Sequence, residues 1–529
     1  MTDSQTWQSD AQYQCFLQEA KSHLDTFQRE MLDTTYAEFS EKLSSLNLDD
    51  TIKYLSQFYS DIGRPARNQS QLIRSFVLYY LMAEKELASL SLTKWVDRLQ
   101  HDPVLATMIG CTCDSLPPFG SYFDFMDRCW FDKRKRAYAR NAVLLSNHNS
   151  RKFRKSTKRK GKKAKTDSEE GDGEKPLRKG DKAADPSKVK VADLINRLSG
   201  GVRLTPNFEA PLQEIFYYAA VLPSIQAGII SEDGLIVSGD GTCIHTHASP
   251  FGKDCDAGMA KPNVTVTNPD TGQSTELTWK HYSDPDAAIG WDSDLAANYF
   301  GYTLYTLSVH SSEYGVDLPV LLRVTSAKRH DSVNLTFALD EMQAHEPDIH
   351  PAYMCLDSAH DNGPTYQYLS SIGTVPMIDI NKRATDKPRI NDNITVNDEG
   401  TPVCQAGKEM YWCGYDKTHY ANKWRCPFCA HGKEPECSCK CSESKYGRTI
   451  YTKTKQDPRY FPRIPRESEE FKKIYNNRTA CERVNDRIIN DYKLGNMYIH
   501  YREHISFAIM IIGICLHLDA WYKVRHRNA

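Results

Sequence analysis

Two short apolar runs, Gly234-Leu-Ile-Val-Ser-Gly-Asp240 and Ala352-Tyr-Met-Cys-Leu-Asp357, each close on a carboxylate. Apolar runs of this length, bounded by turn residues, read as buried strands. A third carboxylate lies in the stretch 474–489, Ile-Tyr-Asn-Asn-Arg-Thr-Ala-Cys-Glu-Arg-Val-Asn-Asp-Arg-Ile-Ile. On a helix turning about 100° per residue, Tyr475, Arg478 and Glu482 share one face, while Ile474, Cys481 and Ile488 share another. Alone, that pattern describes an ordinary surface helix. Together with Asp240 and Asp357 it supplies three carboxylates from three elements, the set that a two-metal phosphoryl-transfer site requires.

The other elements set the order in which these carboxylates appear. Residues 302–309 and 318–324 read as strands with Gly315 between them, the pattern of a hairpin. A helix is expected over 332–344 and another over 365–369. A fifth strand is expected at Val375-Pro-Met-Ile-Asp-Ile380, where the proline argues for an edge or strand-start position. Three strands, a helix, a strand, a helix, a strand and, after a long interruption, a final helix is the order of an α/β ribonuclease H-like layer fold. In it, Asp240 stands on the first strand, Asp357 at the end of the fourth and Glu482 on the last helix.

At 529 residues and 40% hydrophobic content, the chain can form two to four domains with real cores. Residues 1–130 read as a helical domain, with Phe16, Leu24, Phe27 and Met31 at helical spacing. Its later helices, separated by Pro and Gly turns and edged with Arg and Lys, suit either a helix-turn-helix DNA-binding module or a plain bundle. Residues 131–190 read as a disordered linker. Ten of the fifteen residues from 151 to 165 are Lys or Arg, and an acidic, Gly-containing stretch follows. That basic cluster is either a solvated tether or a sequence-independent phosphate binder. The first part of the core is expected over 191–382, a Cys-rich insertion over 383–466, and helices completing the core over 467–529.

The net charge of −1 leaves no global field to attract a polyanion. The N-terminus has neither the basic flank nor the apolar stretch of a signal peptide. The apolar run 505–516 is shorter than the roughly 20 residues of a membrane span. The expectation is a soluble protein without a membrane partner, cytoplasmic and associated with the nucleoid. Seven of the 16 cysteines fall between Cys404 and Cys441, which suits a metal site in a reducing compartment better than a disulfide framework. Cys426-Pro-Phe-Cys429 followed by Cys437-Ser-Cys439-Lys-Cys441, with Cys404, Cys413 and His431 nearby, offers tetrahedral Zn2+ ligation, assigned to Cys426, Cys429, Cys437 and Cys439, with unligated reduced cysteines as the alternative. Lys423, Trp424 and Arg425 stand adjacent for DNA contact. His245 and His247 alternate along an expected continuing strand and read as structural or as outer neighbours of the site.

The Asp240-Gly-Thr, Asp357-Ser-Ala-His-Asp361 and Tyr475-x2-Arg478-x3-Glu482 blocks resemble those of DDE-domain transposases of bacterial insertion sequences. So do Gly301-Tyr-Thr-Leu-Tyr-Thr-Leu, the Arg323-Val-Thr-Ser-Ala-Lys-Arg-His-Asp-Ser332 exit, and Gly63-Arg-Pro with the helices after it. The resemblance implies that Asp240, Asp357 and Glu482 hold Mg2+ or Mn2+, with Asp361 and Asp486 as competing ligands. It implies that Tyr475 and Arg478 contact DNA phosphate or position the transposon end. The family often carries a Lys seven residues after the Glu, where this chain has Ile489; Lys493, on the same face if the helix persists, or Arg487 is the expected substitute. The implied partners are DNA, as terminal inverted repeats and target, and further copies of the chain, as a homo-oligomer on DNA. The implied activity is strand cleavage and strand transfer. A domesticated, non-catalytic DNA-binding protein and a nuclease without strand transfer are the alternatives.

Overall fold

The computed structural model describes residues 7–59, 66–85, 91–130, 143–145, 191–204, 209–254, 264–267, 274–277, 279–382, 387–430, 439, 441–496 and 499–527. Its centre is a mixed sheet built from β1 (Ile236–His245), β2 (Ala297–Ser311), β3 (Val316–Ser326), β4 (Tyr353–Leu356) and β5 (Val375–Ile378). Their order across the sheet is β5-β4-β1-β2-β3, and a short strand, Ala288–Asp292, pairs with the start of β2. The strands β1, β2 and β3 are antiparallel in succession, joined at β2–β3 by a turn through Gly315 at φ +63°. The shorter β4 and β5 are parallel to β1. Parallel neighbours need a crossover connection, and two helices provide it: α1 (Asp331–His345) between β3 and β4, and α2 (Gly363–Ser371) between β4 and β5. Each has its exposed N–H groups capped by the side chain before it, His330 for α1 and Asn362 for α2. Pro376 sits in β5, which among the described residues pairs with β4 alone and so forms an edge, where a missing N–H is least costly.

The stretch 474–489 is helical but not one regular helix. An α-helix ends at Tyr475 (Glu469–Tyr475), a 3-10 turn covers Asn476–Arg478, α3 runs Thr479–Asp486, and a π-helical turn covers Arg487–Asp491. Cys481 and Ile488 are fully buried, as the apolar stripe predicts. The helix does not persist to Lys493, which lies beyond the π turn in left-handed backbone at φ +56°. It therefore does not continue the face of Tyr475.

The last helix, α4 (Arg502–Arg527), is long and apolar enough to cross a membrane, yet 83% of its most apolar window is buried inside the protein. On one side Phe507 meets Phe76 and Phe125 at centroid distances of 4.7 and 6.0 Å, and Asp519 receives Lys42 at 2.7 Å. On the other, His517 bonds the Pro319 carbonyl of β3 at 2.8 Å and Gly513 lies against Leu322. The N-terminal helices thus share one hydrophobic core with the sheet through α4. Within them the expected stripe shifts: Leu24 ends the helix Asp10–His23, a new one starts after Asp25, and Tyr13, Leu24 and Leu32 are buried while Phe27 is 68% exposed. The basic segment 131–190 lies outside the described residues except for 143–145, a strand paired with Trp279–His281.

Between β5 and α3 stands a second, three-stranded antiparallel sheet, Tyr411–Asp416, Ala421–Arg425 and Thr449–Lys453. Its core is small: Ile394, Met410, Trp424 and Ile450.

Candidate active site

The register of two parallel strands brings the first two carboxylates together. Leu356 of β4 lies opposite Gly239 of β1, so the next residue of each chain, Asp357 and Asp240, stands at the same level on neighbouring strands. Asp357 ends its strand as a cap: its carboxylate accepts the Ala359 N–H at 3.1 Å and meets His360 Nδ1 at 2.6 Å. The other ring nitrogen of the fully buried His360 meets the Tyr305 hydroxyl at 2.9 Å, which fixes the imidazole between β2 and Asp357.

Glu482 is brought over the same sheet by α3, which is tied down on both sides of it. Thr306, directly opposite Asp240 in the β1–β2 ladder, donates to Asn485 at 2.7 Å. Arg483 forks onto Asp317 of β3 at 2.6 and 2.7 Å. Glu482 itself is half exposed and pairs with Arg478 at 2.7 Å. Arg478 in turn lies 5.9 Å from the Tyr475 ring centroid and acts electrostatically on both Asp240 and Asp357. Tyr475 stacks on Phe471 and donates its hydroxyl to the Leu356 carbonyl at 3.1 Å, bracing the residue before Asp357.

Burial first, and neighbouring charge second, sets the electrostatics of these carboxylates. Burial, with Asp357 and then Asp331 adding to it, pushes Asp240 up to about 7. Burial opposes ionisation of Asp357 too, but the hydrogen bond and charge of His360, the Ala359 N–H and Arg478 outweigh it and hold Asp357 below the ordinary range. Asp331 is raised, chiefly by burial. It is a fourth carboxylate at this place, at the first position of α1: a Cβ on Gly241 would collide with its carboxylate. Asp331 lies within the His-Asp-Ser exit, and its signal in the sequence is an Asp immediately after a helix cap, in the turn that leaves a buried strand.

The rival ligands are occupied elsewhere. The Asp361 side chain is fully buried, forked by Arg459 at 3.0 and 2.6 Å and bonded by the Tyr366 hydroxyl and the Asn381 N–H. Asp486 is exposed and accepts from Asn490 at 2.6 Å. Arg487 is drawn away to Asp519 of α4 at 2.5 Å. Ile489 packs against the core. His245 ends β1, bonded to Asp292 at 3.0 Å and stacked on Tyr299, and His247 lies in the bend after it rather than on a continuing strand.

In the Cys-rich segment, Cys404, Cys426, Cys439 and Cys441 line one cavity, and Cys429 neighbours Cys426 and Cys441. Cys437 and His431 lie outside the described residues. Trp424 is buried and donates to Thr452 at 2.9 Å, so it is not available for DNA contact; Arg425 stacks on Tyr446 at 3.6 Å. Among the described residues, the group of His, Cys, Asp and Glu whose ligand atoms all fall within 4.8 Å of one another is Asp127, Glu503 and His504, between the helix Phe119–Arg128 and the start of α4. The Asp240, Asp357 and Glu482 carboxylates are not gathered that tightly, in keeping with the Arg478–Glu482 pair and the mutual repulsion at Asp240.

A comparison with curated proteins finds no match. The family model described as the transposase DDE domain matches residues 240–518, beginning at Asp240 itself and spanning Asp357 and Glu482. DDE transposases act on DNA and generally use divalent metal ions. With 279 of its 529 residues (518 − 240 + 1) inside that match, the chain belongs to the DDE transposase family.

Proposed function

We propose that this protein cuts DNA at the ends of an insertion sequence and joins the freed 3′ ends to a target, using Asp240, Asp357 and Glu482 as ligands for two divalent ions, Mg2+ or Mn2+. The observation that carries the reading is the pairing of Asp240 and Asp357 at one level of two parallel strands, with the Glu482 helix pinned over the same sheet. The β5-β4-β1-β2-β3 order with two crossover helices supports a ribonuclease H-like core. The donor set fits the ions. Hard carboxylate oxygens suit Mg2+, and Asp240, pushed to about 7 by burial first and by Asp357 and Asp331 after it, is a group that a divalent cation would allow to ionise beside them.

When bound, the ions would generate a nucleophilic hydroxide or alkoxide and stabilise charge on the phosphate. The residues of this chain do the rest. His360, held by Tyr305, orients Asp357. Arg478 stands beside Glu482 with its guanidinium free to exchange that partner for a DNA phosphate. Tyr475 acts by bracing the end of β4. Lys493 remains proposed as a DNA contact on its charge alone.

Purified protein incubated with Mg2+ and DNA carrying the inverted repeats that flank its gene should release nicked ends with 3′-hydroxyls and then joined products. DNA that is bound but never cut would favour a domesticated binding protein, and cutting without joining a plain nuclease. Synapsis of two ends predicts at least two copies of the chain per complex, measurable by light scattering on the DNA-bound protein.

Asp331 and Asp361 should separate in the same assay. Replacing Asp331 by Asn is expected to raise the Mg2+ concentration for half-maximal cleavage at least about tenfold, the usual cost of disturbing a metal's surroundings. Replacing Asp361 by Asn breaks a buried Arg459 pair and should lower the melting temperature while leaving the Mg2+ requirement of the folded fraction unchanged. Equal Mg2+ curves for wild type and Asp331→Asn would remove Asp331 from the site.

A further inference from the structure

The Cys-rich segment gathers thiols at a cavity of their own, apart from Asp240, Asp357 and Glu482. The strand Ala421–Arg425 runs directly into Cys426, and the helical turn Pro427–Ala430 folds the chain back so that the N–H groups of Cys429 and Ala430 both donate to the Cys426 carbonyl, at 3.2 and 3.1 Å. This turn places two thiols side by side. The chain crosses over them at Gly447, where an added Cβ would lie 2.8 Å from the Cys426 Cβ and 2.9 Å from the Cys429 Sγ. Only a residue without a side chain passes there, and the next residue, Arg448, accepts the Cys426 N–H at 2.9 Å. Cys439 and Cys441, linked by the Cys441 N–H donating to the Cys439 carbonyl at 2.8 Å, line the cavity that Cys426 opens into.

The segment has a reason to need a staple. Its second sheet is built around four buried side chains, Ile394, Met410, Trp424 and Ile450, too few to hold three strands by burial alone. The described cysteines carry no disulfide. Cys426, Cys439 and Cys441 line one cavity, and Cys429 neighbours Cys426 and Cys441. A Cys-x2-Cys pair beside a Cys-x-Cys pair forms a soft, all-sulfur donor set, which selects Zn2+ over the hard ions proposed for the carboxylates.

We infer that Cys426, Cys429, Cys439 and Cys441 bind one Zn2+ as a structural tetrathiolate site that fixes the second sheet against the return of the chain at Gly447. Zn–S bonds of about 2.3 Å would draw together sulfurs of which, among the described residues, no three now fall within 4.8 Å of one another. Cys404, in the wall of the same cavity, packs against the small core and is outside the ligand set.

The test uses the full chain purified without chelator. Elemental analysis should find one zinc per chain, and replacing that metal with Co2+ should give the intense sulfur-to-cobalt absorption of a tetrathiolate site. Cys426→Ser with Cys429→Ser, and Cys439→Ser with Cys441→Ser, should each lose the metal; Cys404→Ser should keep it. Should the double variants fail to fold, the cobalt spectrum of the wild-type chain still tells four sulfurs from a mixed or smaller donor set, and a mixed or smaller set overturns the inference. Absence of zinc, a disulfide within this set, an iron–sulfur chromophore, or zinc retained in either double variant overturns the inference. So does zinc lost from Cys404→Ser but kept in Cys439→Ser with Cys441→Ser. Zinc content is read without DNA cleavage, so its outcome stands apart from that of the transposase assay.

Discussion

Replacing Asp240 by Asn will cut Mg2+-dependent cleavage by about a thousandfold or more and, in the same protein, will stabilise the fold at pH 8. The first effect follows from removing a proposed metal ligand: the ions supply several kcal/mol of transition-state stabilisation, and each 1.36 kcal/mol is a factor of ten. The second follows from linkage. Asp240 titrates near 7 in the folded protein against the ordinary 3.8. Between those two pH values the folded state keeps a proton that the unfolded state releases, so stability falls as pH rises through the window. Above pH 7 the full penalty is present, up to about 4 kcal/mol for a shift of this size. Asn has no proton to lose and escapes it. Asp331, also raised, adds a penalty of the same sign, whereas Asp357, lowered, contributes stability that is lost as pH falls. The difference between wild type and Asp240→Asn isolates the Asp240 share. Melting curves should coincide near pH 4 and separate by pH 8, with the variant higher. Mg2+ should raise the wild-type melting point at pH 8 and leave the variant nearly unmoved. Coincident curves at both pH values, or an undiminished Mg2+ response in the variant, would remove Asp240 from the metal site.

How much of this was legible before the structure depends on how local each cause is. The runs ending at Asp240 and Asp357 could be read because a buried strand writes its pattern into consecutive residues. Their pairing required only that β4 be parallel to β1. The stripe of Cys481 and Ile488 was legible for the same reason. Side-chain periodicity reports an average turn, however. It does not register a 3-10 turn at Asn476–Arg478 or a π turn at Arg487–Asp491, and those two turns decide where Lys493 stands. Arg487 was misplaced for a longer-range reason, since its partner Asp519 lies on another helix. Asp331 escaped notice because its meaning depends on Gly241, ninety residues earlier, leaving room for a carboxylate beside Asp240. The sharing of one core by the N-terminal helices, α4 and the sheet is likewise a property of contacts between distant segments, which composition does not encode.

The largest purely structural effect should come from Arg466. This side chain is 5% exposed and lies where β5, α2 and the chain returning from the Cys-rich segment meet. Its guanidinium donates to the Ile378 carbonyl at 2.8 Å, the Arg459 carbonyl at 2.7 Å and the Tyr366 hydroxyl at 2.8 Å, with a longer contact to the Glu399 carbonyl at 3.5 Å. A planar fork reaches all of them at once, which a single ammonium cannot do. Truncation to Ala would leave buried acceptors unpaired and a cavity behind, each costing on the order of 1–3 kcal/mol, so a loss of about 3 kcal/mol or more is expected for Arg466→Ala. Arg466→Lys keeps the charge but not the fork and should recover less than half of it. Ile378 closes β5 beside β4, and Tyr366 bonds the Asp361 carboxylate that Arg459 also holds, so Arg466 secures the same junction as Asp361. The folded fraction of Arg466→Ala should therefore keep the wild-type Mg2+ requirement, as that of Asp361→Asn does, while its urea midpoint falls. A urea midpoint within error of wild type would show that the Arg466 contacts contribute little, and a full recovery by Lys would show that charge alone, without the fork, holds this junction.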